Sequence, residues 1–328
     1  MITRKILYVL CFSLLILHTA PFSDDVYAEE SSQLLSYKQI GANILASASV
    51  SENGAVVVTD NGKIYLSGDA GETWMPIESK TEGPLFDVCF VDAHKGWISG
   101  KDGLILYTCD GGRTWGKQEN STLKHLFAID FADDTHGYAV GDWAGIVVTA
   151  DGGKTWQDRS MDDDLILYGV AAFDASHACA VGEMGRIFLT EDAGMTWNEL
   201  EAPVFSTLFC LDKDNDSLFA AGIDGEIICS ADRGVSWKKA VRKDCPAGDI
   251  YALYDIAVKD GKGLAVGEAG KIMLTDDGGA TWRKVNKAAK PFKLATVSVE
   301  TAESGKLIGL TAGNRGVLAR YADDNFIW

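Results

Sequence analysis

Thr108-Cys109-Asp110-Gly111-Gly112-Arg113-Thr114-Trp115 is one of six copies of a single signature, [Ser/Thr]-x-Asp-x-Gly-x-[Ser/Thr]-Trp. The central acids are Asp69, Asp110, Asp151, Asp192, Asp232 and Asp277, and the closing tryptophans are Trp74, Trp115, Trp156, Trp197, Trp237 and Trp282. The tryptophans are spaced by 41, 41, 41, 40 and 45 residues. A fixed period of that size marks a chain built from stacked structural repeats. Ahead of five of the six boxes come a Leu-aromatic pair (Leu85-Phe86, Leu126-Phe127, Leu167-Tyr168, Leu208-Phe209, Leu253-Tyr254) and an apolar run ending near Gly, such as Tyr138-Ala139-Val140-Gly141. A Gly turn and a third apolar run lead into the box, and a more polar run follows the Trp. Short β-branched and aromatic runs between Gly and Asp turns read as strands. Four strands per period make one blade of a β-propeller, so the fold class is all-β.

The box itself reads as a turn lock. An Asp in a tight turn accepts nearby backbone N–H groups, Gly supplies positive φ, and the Trp buries a large surface while seeking an indole partner. Six acids, one per blade, lie around a rim and do not converge on one point as catalytic groups or metal ligands must. A seventh blade is expected from Gly316 to Trp328, where Trp328 stands in the place of a box tryptophan. The chain stops where that blade's fourth strand should start, so a strand over Ser36-Tyr37-Lys38-Gln39-Ile40 is expected to complete it and close the ring.

Arg4 and Lys5, an apolar run from Ile6 to Leu17 and the small-residue site Val26-Tyr27-Ala28 read as a secretory signal over residues 1–28. The remaining residues 29–328 form one propeller domain, expected in the periplasm or cell envelope. The formal charge of −17 argues against nucleic acid and against adsorption on anionic lipid, and no membrane insertion is expected after cleavage. Of Cys89, Cys109, Cys179, Cys210, Cys229 and Cys245, most sit inside expected strands of different blades, with Cys89 and Cys210 at matching positions of blades two and five, which favours buried free thiols over a disulfide framework. His94, His136 and His177 follow Asp in equivalent turns of separate blades and read as turn caps. The second Gly turn carries Asp102, Asp142, Glu183, Asp224 and Glu268, expected as a solvated rim on the face opposite the boxes. No catalytic set, metal site or cofactor is assigned.

The composite pattern Gly-Trp-x-x-Gly-x-x-Gly-x-Ile/Leu-x-x-Thr-x-Asp-Gly-Gly-x-Thr-Trp, clearest over Gly96–Trp115 and Gly137–Trp156, resembles the photosystem II assembly and stability factor family. That resemblance implies a seven-bladed exported propeller that binds a membrane or envelope protein as client, as a monomer and without chemistry of its own. The alternative is an Asp-box glycoside hydrolase of sialidase type. It would need three arginines converging on one pocket, whereas Arg113 and Arg233 lie inside boxes and Arg159, Arg242 and Arg315 lie on separate blades.

A docking face is expected on the loops that join one blade's outer strand to the next blade's inner strand. Most are uniform in length, but the loop after Trp237 is longer and includes Arg242 and Lys243. Insertions in repeat proteins collect on one face, often the binding face. The residues expected to meet a partner there are Lys124, His125, Arg159, Asp162, Asp163, Asp164, Arg242, Lys243 and Tyr251.

Overall fold

The computed structural model describes residues 40–243, 245, 250–285, 293–301 and 307–322, with the backbone of 325–327. The signal read in residues 1–28 lies outside this range. The described residues form seven sheets, each built on four antiparallel strands consecutive in sequence. Blade two shows the plan: Leu85–Phe90, Gly96–Gly100, Ile105–Thr108 and Gly116–Gln118. The first strand of every blade packs against the first strands of both neighbours, so seven inner strands line a central channel.

Burial follows position in the blade. The second strands Gly96–Gly100, Gly137–Gly141 and Ala178–Gly182 are buried along their whole length. The outer strand Gly116–Gln118 is largely exposed. The core therefore lies between sheets: Val56 and Ile64 of blade one share a cluster with Leu85 and Ile98 of blade two. Ile44 and Val57 of blade one likewise pack on Leu310, Ala312 and Leu318 of blade seven.

The end of the ring differs from expectation. Asn325–Ile327 pairs antiparallel with Leu318–Ala322 and takes the fourth place in blade seven, so the C-terminal segment completes its own blade. Residues 36–39 and Trp328 lie outside the described residues. Blade one meets blade seven through side chains: Ser47 Oγ bonds Thr296 Oγ1 at 3.0 Å, and Asn43 Oδ1 accepts Arg315 N–H at 3.0 Å. The longer connection after Trp237 also departs from expectation. Val241–Lys243 adds a fifth strand to blade six, parallel to Thr281–Lys284. It runs along the blade's outer edge instead of crowning a face.

All six boxes share one geometry. In blade three, Asp151 Oδ1 accepts Thr149 Oγ1–H at 2.9 Å and Thr155 N–H at 2.9 Å, while Oδ2 accepts Thr155 Oγ1–H at 2.7 Å. Thr149 Oγ1 in turn accepts Gly153 N–H at 2.8 Å. Bonds from Thr196, Ser236 and Thr281 hold the carboxyls of Asp192, Asp232 and Asp277 below the usual range. At Asp110 and Asp151 burial pulls upward, but the same kind of bonds outweighs it. Four of the six indoles donate to the carbonyl three residues back, as Trp115 does to Gly112 O at 3.1 Å. Asp151→Ala leaves three donors without their acceptor, and we expect it to lower stability by about 1–3 kcal/mol. Chemical denaturation checks this; an unchanged midpoint would remove the turn-lock reading.

A second set of carboxylates ties blade to blade. Asp87 Oδ2 accepts Ile129 N–H at 2.9 Å, Asp130 accepts Ala172 N–H at 2.8 Å, Asp212 accepts Val258 N–H at 2.7 Å, and Asp255 accepts Val297 N–H at 2.8 Å. Each acid sits on one inner strand and binds the inner strand of the next blade. Lys213 Nζ pairs with Asp130 and donates to Ala172 O at 2.6 Å.

Candidate functional site

The mouth of the channel is built by the Leu-aromatic pairs. In each pair the leucine is fully buried, whereas Phe86, Phe127, Tyr168, Phe209 and Tyr254 stay half-exposed. The pairing register explains the difference. Leu85 pairs with Gly100 and Asp87 with Ser99, so Phe86 is left over as a β-bulge. The same slip recurs in all seven blades, at Leu45, Phe127, Tyr168, Phe209, Tyr254 and Ala295 as well. A bulge re-aims its extra residue away from the sheet's alternation.

The bulged rings of blades two to six touch in succession. Centroids are 5.0 Å apart for Phe86 and Phe127, 5.8 Å for Phe127 and Tyr168, 5.5 Å for Tyr168 and Phe209, and 5.9 Å for Phe209 and Tyr254. His125 lies 6.2 Å from both Phe86 and Phe127. At the other end Lys293 Nζ sits 4.3 Å from the centre of Tyr254. Burial lowers the Lys293 ammonium pKa to about 8, and Glu268 opposes that shift.

The face around this mouth consists of the second Gly turns and the loops between blades. The two sets interlock. A Cβ on Gly103 would stand 2.2 Å from Thr122 O, and one on Gly185 would stand 2.4 Å from Val204 O. Among the described residues, six of the ten large exposed hydrophobics fall here: Leu123, Trp143, Met184, Phe205, Ile223 and Ile250, with Phe205 91% exposed. They span blades two to six, the same blades that supply the aromatic rings. Trp143 also holds φ at 55°, a left-handed conformation disfavoured for a bulky residue.

Acids border the mouth. The backbone N–H of Asp142, Glu183 and Glu268 donates to His125 O, Ile166 O and Ala252 O, each two residues before a ring of the arc. Burial raises the carboxyls of Asp142 and Glu183. Asp142 Oδ1 is buried without a hydrogen-bond partner among the described residues. Asp102 lies alongside, its N–H donated to His125 Nδ1 at 3.1 Å, and Asp224 accepts the Ser206 hydroxyl.

The residues expected at a partner surface are placed unevenly. His125 stands at the rim of the arc, and Lys124 Nζ donates to Trp143 O at 3.0 Å. Arg159 bonds its neighbour Gln157 at 2.5 Å, and Asp163 pairs with Arg186 at 2.7 Å beside the exposed Asp162 and Asp164. Arg242 lies half-buried on the fifth strand of blade six, and Lys243 is exposed there. Tyr251 corrects the expectation: it is 4% exposed, packed in the core between blades five and six with its hydroxyl on Met273 Sδ at 3.2 Å. The apolar residues of the face escaped sequence reasoning, although a Trp inside a Gly turn (Trp143) was a usable signal.

The arginines that a sialidase-like site would need are dispersed. Arg113 bonds Asp110 O, Arg186 bridges Asp163 and Glu199, and Arg233 bridges Asp174 and Asp216, on blades two, four and five. His136 and His177 each bond the Asp three residues back, and His94 N–H bonds Asp92. The six cysteines among the described residues are free; Cys179, Cys210 and Cys229 are buried and Cys109 is exposed.

Comparison with known proteins follows the repeat. The family model described as photosynthesis system II assembly factor YCF48 matches residues 72–204. The chain is photosystem II assembly factor-like. A curated relative, the chloroplastic photosystem II stability/assembly factor HCF136 of Guillardia theta, is 34% identical over 68 residues. That stretch covers 20% of this chain and 17% of the relative's length. Among solved structures, YCF48 bound to a D1 peptide superposes with a TM-score of 0.69 at 20% identity, covering 88% of this chain and 96% of that one. YCF48 from Cyanidioschyzon merolae gives 0.66 at 18% identity, covering 88% of this chain and 100% of that one. The WD40 propeller of Doa1 fits as well, with a TM-score of 0.68 at 15% identity and coverage of 89% and 97%. The superpositions therefore speak to the propeller fold, and the photosystem-factor likeness rests on the repeat sequence.

Proposed function

We propose that this propeller is a non-catalytic assembly or stability factor that holds a protein client, a membrane or envelope protein, on the face around its channel mouth. The apolar crescent from Leu123 to Ile250 carries the reading. Six large exposed apolar side chains on one face are the kind of surface a partner covers. The face is rimmed by charges of both signs, as protein interfaces are. The family likeness adds support, since a YCF48 structure holds a D1 peptide. The leader read in residues 1–28 favours an exported location, with a mature start near Glu29. Mass spectrometry of the native protein tests that point, and an intact Met1 would reject cleavage.

Phe205→Ser combined with Ile250→Ser tests the docking face. Both residues are exposed, at 91% and 68%, so stability should stay within about 0.5 kcal/mol of the parent. Partners that co-purify with the parent from its native host, identified by mass spectrometry, are expected to be lost from the variant. Retention of the same partners by a folded double variant would move the docking site elsewhere.

A further inference from the structure

The aromatic mouth and the carboxylates around it have a joint chemistry that neither has alone. A ring face attracts cations, most strongly where water is partly excluded. The arc already shows this contact once, because Lys293 Nζ lies 4.3 Å from the centre of Tyr254. Phe86, Phe127, Tyr168 and Phe209 continue the arc away from that lysine. Asp142 lies beside His125 at the Phe127 end with a buried, unpartnered oxygen, and Glu183 lies beside Tyr168.

Deeper along the same inner strands, Asp87, Asp130, Asp212 and Asp255 line the wall, and Lys213 is paired with Asp130. These acids repel one another: Asp130 disfavours charge on both Asp87 and Asp212, and Asp87 disfavours it on Asp255. The whole chain carries −17. Between Lys293 at one end and Lys124 and His125 at the other, the ring faces and carboxylates of the mouth thus favour positive charge carried on a flat or apolar stem.

We infer that the channel mouth receives a basic side chain, an arginine above all, from an extended apolar segment of the client polypeptide. The guanidinium stacks on the Phe127–Tyr168–Phe209 arc and bonds the Asp142 carboxylate, while the flanking apolar residues cover Trp143, Met184 and Phe205. Arginine suits the site better than lysine because its planar group stacks and donates a fork of hydrogen bonds at once. The inference rests on the docking face proposed above and adds the chemistry of what that face selects.

The test uses the whole propeller and three short peptides blocked at both ends. Each carries leucine and phenylalanine around a central arginine, citrulline or glutamate, and binding is read by fluorescence anisotropy. The arginine peptide should bind about tenfold tighter than the uncharged, isosteric citrulline peptide. Asp142→Asn and Phe209→Leu, which keep shape and apolar bulk, should each remove most of that difference. Equal binding of the arginine and citrulline peptides, abolished by Phe205→Ser/Ile250→Ser, would overturn the inference and leave the docking face standing. No binding of any peptide would overturn both. Binding confined to phosphatidylglycerol vesicles would replace the polypeptide with a membrane surface and overturn it as well.

Discussion

Gly141→Ala is expected to destabilise the propeller by about 3 kcal/mol or more, with loss of soluble protein, because a Cβ there would sit 1.7 Å from His125 O. The reason lies in the bulge. Releasing Phe127 from the pairing register presses the entry of the inner strand against the end of the second strand. The carbonyl of His125 then occupies the space a side chain would need. The contact recurs at Gly182, Gly222, Gly267 and Gly313, where a Cβ would fall 2.0–2.2 Å from the matching carbonyl. Backbone cannot retreat as a flexible side chain can, so the strain has no cheap outlet. Gly116→Ala is the control: nothing lies within 4 Å of its Cβ position, and its effect should stay within about 0.5 kcal/mol. Equal soluble yield and equal midpoints for the two variants would show that the bulge is not pinned by this approach.

The second large effect is on pH. Burial raises Asp87 to about 6, and Asp212 and Asp255 to about 7, against the bonds each accepts from backbone N–H groups. All three residues remain part-exposed on the inner strands that line the channel. With folded values above the unfolded value of 3.8, the folded ring holds protons that the unfolded chain releases. That contribution is fully present below the unfolded value and is lost as pH rises through 6 to 7. The box aspartates act in the opposite sense: their lowered values stabilise above 3.8 and fade as pH falls through the folded values. The two trends leave a stability maximum at mildly acidic pH. After discounting for channel water, the melting temperature at pH 5 should exceed that at pH 8 by roughly 5–10 °C. Asp212→Asn with Asp255→Asn keeps an oxygen to accept Val258 and Val297 N–H while removing the titration. It should raise the pH 8 value and flatten the profile; a profile unchanged by the double substitution would take the effect away from these latches.

Much of the architecture can be read from the chain because its signals are local. The Asp and Thr side-chain bonds of the box close within a few residues, so Thr149-Ala150-Asp151-Gly152-Gly153 carries most of its own geometry. The Leu-aromatic pair was equally visible, but not which member faces the channel. That depends on a register slip between Leu126–Phe131 and Gly137–Gly141, a property of pairing that composition does not record. Strand assignment failed at the ends of repeats for a related reason. Val241–Lys243 joins blade six through Thr281–Lys284, some forty residues on, and its presence goes with a core position for Tyr251. Asn325–Ile327 lacks the box that announces a fourth strand elsewhere, yet Leu318–Ala322 still offers it an edge. The crescent was hidden most thoroughly. Leu123, Phe205 and Ile250 are scattered singly in loops, and only the stacking of blades gathers them.

Site-specific photo-crosslinking in the native host compares the two faces directly. A photoreactive phenylalanine analogue is placed at Phe205 or Ile250 around the channel mouth, and at Met195 or Val235 in the box turns. All four positions are well exposed, at 91%, 68%, 66% and 59%. The account predicts adducts with one discrete polypeptide from positions 205 and 250, and none of that product from 195 and 235. The same adduct from the box turns, or no adduct from either mouth position, would contradict it.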